Sequence, residues 1–306
     1  MNRRDALRSA AMAATGATMI GAADGAAASA QKVRSGPFIE ATDGTRLYYR
    51  DWGTGARTAL FVAPWSLNSD WWEYQMTYLS SAGVRCIAYD RRGHGRSDDS
   101  GRGYDFDTLA NDLAAVIEHL ALREITLIGH SMGCADAVRY LSRYPGRAVA
   151  RVAMIATITP FILKTDDNPQ GVERSVLEKG RETLSRDRPR NVAEAAPAFF
   201  GPKNGVSTQL MDWWTWQILQ CPLRVMLELH RAFTETDFRP ELRTITVPTL
   251  LIHGDIDTSA PLDFTGRRTA GLIPGSRLEV YEGAAHGLPI THMERLNRDL
   301  LSYVTS

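Results

Sequence analysis

Five apolar runs, TALFVAP, VRCIAYD, EITLIG, VAMIAT and VPTLLIHGD, recur between residues 58 and 255. A strand that alternates apolar and polar residues can leave one face in water. A strand that is apolar at nearly every position cannot, so each of these runs must be covered on both faces. The cover is written between them. From Asp105 the residues Phe106, Leu109, Leu113, Val116, Ile117 and Leu120 return at helical spacing, which gives a helix one sheet-facing stripe. Buried strand followed by amphipathic helix, repeated, confines the chain to a mostly parallel sheet with helices on both faces. Before the first run, FIEAT and RLYYRDW flank Asp43-Gly44, a hairpin signal, and a helix is expected from about Asp70. After the last, RLEVYEG predicts one more strand, and Leu296, Leu300 and Leu301 mark a terminal helix.

The rhythm stops at residue 158 and resumes at 247. The intervening segment lacks buried strand runs and holds helix-like pieces. It is expected to be a helical cap inserted into a core made of residues 31–157 and 247–306. Trp213, Trp214 and Trp216, with Phe199, Phe200 and Phe161, are its candidate pocket aromatics. One helix cannot turn three tryptophans at spacings one and two into a single cavity, so their main role is expected to be packing the cap onto the core.

The chemistry concentrates at Gly129-His130-Ser131-Met132-Gly133. A serine between two glycines, placed between a buried strand and a helix, is a nucleophile elbow. The turn is tight enough to need small neighbours, and it stands the serine oxygen at the carboxyl end of the sheet, near the positive end of the next helix. A serine hydroxyl attacks only if a base takes its proton, so a histidine and a carboxylate are needed later in the chain. IHGDIDTSAP supplies Asp255 and Asp257, and YEGAAHGLP supplies His286, each just past a predicted strand. The order Ser131, Asp257, His286 suits this chemistry: His286 shuttles the proton, and the aspartate fixes its tautomer and stabilises the imidazolium. Asp257 is the better candidate because Gly254-x-x-Asp places it on the loop tip, while Asp255 suits a turn-bracing role. His94, in RRGHGRSD, reads as a loop hydrogen-bonder.

Other classes are harder to support. The 35 basic and 35 acidic side chains cancel, so nothing draws the chain to nucleic acid or to an anionic membrane. Cys86, Cys134 and Cys221 are scattered with no CxxC pair, and no metal cluster or phosphate-cradling loop is visible. No cofactor or metal is expected, and the cysteines are expected to be buried and reduced. Residues 1–30 are different. Arg3-Arg4 with Leu7 and Arg8, a weakly apolar stretch from Ala10 to Ile20 and Ala28-Ser29-Ala30 come in the order of a twin-arginine export signal with its cleavage site. The stretch is too short to anchor the chain in a bilayer. A periplasmic or secreted protein beginning near Gln31 is the expectation.

Taken together these residues resemble the α/β-hydrolase superfamily, and more narrowly its cofactor-free haloperoxidase, arylesterase and perhydrolase family. The likeness runs through WWEYQMTYLSSAGVRCIAYDRRGHGRSD, GHSMG, AFTETDFRPELRTITVPTLLIHGDIDTSAP and YEGAAHGLPITHMERLNRDLL, nearly the whole chain after residue 31. The resemblance implies the α/β-hydrolase fold, with Ser131, Asp257 and His286 as the triad. It implies an oxyanion hole made by the backbone N–H groups of Trp65 and Met132. The implied activity is metal-free hydrolysis of small carboxylic esters, with peracid formation and cofactor-free halide oxidation as side reactions. Lactonase, amidase and C–C bond hydrolase activities remain open on the same fold, as does a weakly catalytic ligand-binding protein. Homo-oligomer formation also stays open. One departure is informative: Ala63-Pro64 stands where the family usually has His-Gly, and Ser66 where a proline often follows. Proline has no N–H, but the donor required is that of Trp65. Cys134, where the family usually has glycine, reads as a small buried residue.

Overall fold

A computed structural model describes residues 36–306. The export signal expected at residues 1–30, with its cleavage site, lies outside the described residues. The hairpin expected around Asp43-Gly44 is present as β1 (Phe38–Glu40) and β2 (Arg46–Trp52), paired antiparallel. The chain continues through β3 (Arg57–Val62), α1 (Glu73–Ser81), β4 (Val84–Tyr89), α2 (Phe106–His119), β5 (Ile125–His130), α3 (Met132–Arg143) and β6 (Val149–Ile155). Five helices follow before the next strand: α4 (Arg174–Arg186), α5 (Arg188–Phe200), α6 (Thr208–Gln220), α7 (Leu223–Glu235) and α8 (Arg239–Leu242). The chain then returns as β7 (Thr249–Gly254), α9 (Gly266–Leu272), β8 (Arg277–Tyr281), α10 (Leu288–Thr291) and α11 (Met293–Thr305). The helix expected from Asp70 begins with a 3-10 turn, Ser69–Trp72, capped by the Asn68 side chain, and becomes α-helical only at Glu73.

The eight strands form one sheet in the order β1-β2-β4-β3-β5-β6-β7-β8. From β4 to β8 every pair is parallel; β2 runs antiparallel to β4. The connection from β3 to β4 steps one way along the sheet and that from β4 to β5 steps back across β3. Right-handed crossovers therefore put α1 on one face, and α2 and α3 on the other. α1 packs with α11, and α2 with α3, which completes both layers. The central strand β5 is buried at all six positions. In α2 the Asp105 carboxylate caps the helix by accepting from the Thr108 N–H at 2.9 Å, while Phe106, Leu109, Leu113, Val116 and Ile117 form the buried stripe. Reversing the sheet order beside β3 opens a crevice at the carboxyl ends of the strands, where open α/β sheets carry their sites.

Candidate active site

β5 ends at His130, and the chain must turn at once into α3. Ser131 makes that turn at φ 55° and ψ −116°, a left-handed conformation that costs a non-glycine residue of order 1–3 kcal/mol. Both flanking glycines are forced by close approach. A Cβ at Gly133 would lie 2.3 Å from the Val62 carbonyl oxygen, and one at Gly129 would lie 2.6 Å from the Gly133 carbonyl. The strain leaves the Ser131 hydroxyl at the mouth of α3, 2.9 Å from His286 Nε2.

His286 follows β8 and Asp257 follows β7, so three separate strand ends deliver the three side chains. His286 Nδ1–H donates to Asp257 Oδ2 at 2.7 Å. The other oxygen, Asp257 Oδ1, accepts the N–H groups of Ser259 at 2.9 Å and Ala260 at 2.8 Å. Burial works against charge on this carboxyl, but the neighbouring His286 and His253 rings and the Ala260 N–H outweigh it. They hold Asp257 well below the usual carboxylate range. Asp255 does what its position suggested: its Oδ1 accepts the Gly283 N–H at 2.7 Å and ties the two loops together.

The remaining expected donors line the same cavity. Met132 is the first residue of α3, so its N–H has no partner within the helix. Trp65 lies in the loop after β3, and its N–H makes no hydrogen bond to another described residue. The Ala63-Pro64 departure does not leave this loop loose. The Arg91 guanidinium donates to the carbonyls of Ala63 at 2.8 Å and Pro64 at 3.4 Å, and its Nε donates to Asp136 on α3 at 3.0 Å. The Trp65 indole is fixed separately by donating to the Met226 carbonyl on α7 at 3.1 Å.

The cavity beside Ser131 measures about 370 Å³ and is mostly apolar, walled by Ile158, Ile162, Leu184, Val192, Phe199 and Trp214. The six candidate aromatics therefore part company. Phe199 and Trp214 face the cavity. Trp213 stacks against Trp71 with ring centres 6.4 Å apart, and Trp216 is exposed. Phe200 is buried edge-on against Trp214, and Phe161 belongs to a small separate cluster with Leu163 and Leu177. Cys134 is fully buried, its Sγ–H directed at the Gly129 carbonyl at 3.3 Å, and burial pushes the thiol up to about 12, as suits a packing residue. His94 holds the Arg92 carbonyl through Nδ1 at 2.9 Å. Among the described residues no group of three or more His, Cys, Asp or Glu side chains could hold a metal ion. No described helix is long and apolar enough to cross a membrane.

Several supporting residues carry no sequence signal of their own. His130 Nε2 lies 3.0 Å from the His286 carbonyl, and its Nδ1 lies 3.0 Å from the Trp71 indole nitrogen. His253, on β7, binds the Ala260 carbonyl through Nε2 at 2.7 Å and sits 3.5 Å from Asp257 Oδ2. Arg91 and Asp136 are 45 residues apart in the chain. Only the pattern GHSMG hinted at one of them, through the histidine beside the serine.

The fold is shared with known proteins. The family model described as "Alpha/beta hydrolase family" matches residues 53–299. A non-heme haloperoxidase of Rhodococcus erythropolis is 38% identical, the alignment covering 88% of this chain and 100% of that one. A bifunctional esterase/perhydrolase of Acinetobacter calcoaceticus is 34% identical over 88% of this chain and 99% of its own. Among solved structures, an esterase from Exiguobacterium antarcticum superposes with a TM-score of 0.84 at 32% identity, covering 89% of this chain and 100% of that one.

Proposed function

The chain belongs to the alpha/beta hydrolase family, and from that premise we propose that it is a serine esterase acting on small carboxylic esters. The observation that carries this reading is the relay from Ser131 Oγ to His286 Nε2 at 2.9 Å and from His286 Nδ1 to Asp257 Oδ2 at 2.7 Å, opening on an apolar cavity. Ser131 attacks the ester carbonyl as His286 Nε2 takes its proton. The Trp65 and Met132 N–H groups receive the oxyanion, each donor being worth about 2.7–4 kcal/mol of transition-state stabilisation. Collapse expels the alcohol, which leaves with the proton from His286. Water then attacks the acyl-Ser131 ester, His286 takes the water's proton, and the acid departs. Asp257, kept anionic, stabilises the imidazolium in both halves. Hydrogen peroxide in place of water releases a peracid from the same acyl-enzyme. The names of the Rhodococcus and Acinetobacter relatives support that side reaction.

Residues 158–246 act as the cap that walls the acyl cavity, and residues 1–30 direct export to the periplasm or beyond. Hydrolysis of p-nitrophenyl butyrate by the full chain, beside its Ser131→Ala variant, tests the central claim. Turnover lost in the variant is expected; equal turnover in both, or none in either, overturns it. Cell fractionation of the Arg3→Lys/Arg4→Lys variant tests the export reading, with retention in the cytoplasm as the expected result.

A further inference from the structure

One polar group in the cavity wall is set apart from the relay. His230 lies on α7, with its ring edge-on to Trp65 at 5.8 Å and tilted against Phe233 at 5.1 Å. All three side chains line the cavity beside Ser131. Behind His230 lies Arg181 on α4, one turn from Leu177 and Leu184, which also line that cavity. The Arg181 side chain is only 10% exposed. Its Nη1 lies 3.4 Å from His230 Nδ1, and its Nη2 lies 3.5 Å from Glu235 Oε1.

A guanidinium can only donate. Nδ1 of His230 must therefore accept, and in a neutral imidazole the proton then sits on Nε2, at the far side of the ring from Arg181. That Nε2 makes no hydrogen bond to any described residue. Burial, reinforced by the Arg181 charge, pushes His230 down to about 4, so the ring is neutral across the ordinary working range. Asn191 on α5 brings to the same cavity a carboxamide that also lacks a partner among the described residues. A mostly apolar cavity is thus provided with a neutral donor of fixed tautomer that the protein itself leaves unused. Such a donor loses its solvation when an all-carbon chain fills the cavity, and keeps a partner when the chain brings an oxygen. A carboxylate suits the place poorly, because it would be desolvated against a neutral donor, and the Arg181 guanidinium behind the ring is already met by Glu235.

We propose that His230 is a specificity-determining residue whose Nε2–H binds a neutral acceptor oxygen in the acyl part of the substrate. The preferred acids are then apolar chains bearing a keto or ether oxygen several carbons from the ester carbonyl. This rests on the ester reading above.

The test compares p-nitrophenyl hexanoate with its 4-oxo and 5-oxo derivatives, using the full chain and its His230→Phe and His230→Gln variants. The readout is the ratio of kcat/KM, best oxo ester over plain ester, which cancels any loss of folded protein. The ratio is expected to fall at least about tenfold in His230→Phe, mainly through KM, and to recover to within about threefold in His230→Gln. Glutamine can still accept from Arg181 and donate into the cavity. A ratio unchanged in His230→Phe overturns the proposal while the ester reading stands. If none of the esters turns over, the ester reading fails. The donor is then judged by ¹⁵N-histidine NMR with 5-oxohexanamide and hexanamide. A shift of the protonated His230 Nε2 specific to the oxo compound upholds it, and equal or absent shifts overturn it.

Discussion

The indole N–H of Trp71 donates to Nδ1 of His130 at 3.0 Å. Trp can only donate, so His130 accepts at Nδ1 and carries its proton on Nε2. That proton points at the His286 backbone carbonyl 3.0 Å away. Burial, and after it the neighbouring His286, keep His130 far below the usual histidine range, so it does not gain the second proton that would break the arrangement. The residue beside the nucleophile thereby holds the backbone of the base. Because a displacement of an ångström in a reacting group can cost about a hundredfold, His130→Leu is expected to lower kcat about 10- to 100-fold with KM within about threefold. Steady-state kinetics on a p-nitrophenyl ester, paired with a folding check by circular dichroism, measures this. A variant that folds and keeps full kcat would remove His130 from the positioning role.

The two aspartates after β7 should separate cleanly. Asp257→Asn gives His286 the wrong tautomer and is expected to lower kcat by about 10⁴. Asp255→Asn, at a loop brace, is expected to stay within about threefold. Comparable losses in both variants would mean that the loop geometry, and not the charge of Asp257, supports turnover.

Arg91 and Asp136 form an ion pair whose side chains are 2% and 0% exposed, and Arg91 also holds the carbonyls before Trp65. Removing one member strands a buried charge. Arg91→Leu alone is expected to lower unfolding free energy by about 3–5 kcal/mol, and the Arg91→Leu/Asp136→Leu double variant by less. Urea denaturation followed by tryptophan fluorescence reads both. In the double variant the loop carrying Trp65 loses its brace, so kcat should still fall although stability returns.

Acid should unfold this protein earlier than its balanced charge suggests. Burial pushes His94 down to about 3 and His230 down to about 4, and His130 is lowered as well. All three bind a proton near pH 6.5 when unfolded and none does when folded. The unfolded state therefore holds more protons between about pH 6.5 and 4, and stability rises with pH across that window. The slope is on the order of 2–4 kcal/mol per pH unit near pH 5, at roughly 1.4 per histidine. Thermal melts between pH 4.5 and 7.5 should show Tm dropping steeply below about pH 6. A flat profile there would show that these rings are not kept neutral by the fold.

What could be read in the sequence, and what could not, divides by range. The strand runs, the hairpin at Asp43-Gly44, the helix after Asp105 and the elbow are each written in one short contiguous stretch, and each appears where expected. Ser131, Asp257 and His286 could be placed because each follows a buried strand, and strand ends meet on one side of a parallel sheet. The preference for Asp257 over Asp255 rested on four residues of spacing, and 2.7 Å to His286 is what the fold gives it. By contrast, Trp71 and His130, or Arg91 and Asp136, meet only because β3, β4 and β5 lie side by side in an order the chain does not spell out. The six aromatics could not be sorted from the sequence for a related reason. Whether Phe161, Phe199 or Phe200 faces the cavity depends on how separate helices and loops lie against one another, and neighbours such as Phe199 and Phe200 end up on different faces of the same helix.

Cys86, Cys134 and Cys221 are each at most 1% exposed, unpaired, and pushed up by burial to about 12. Thiols in that condition neither attack nor exchange while the fold is closed. The described fold thus draws no stability from disulfide bonds. It also makes the three sulfurs a built-in clock: any reagent that labels them counts the openings of the core rather than the chemistry of its surface.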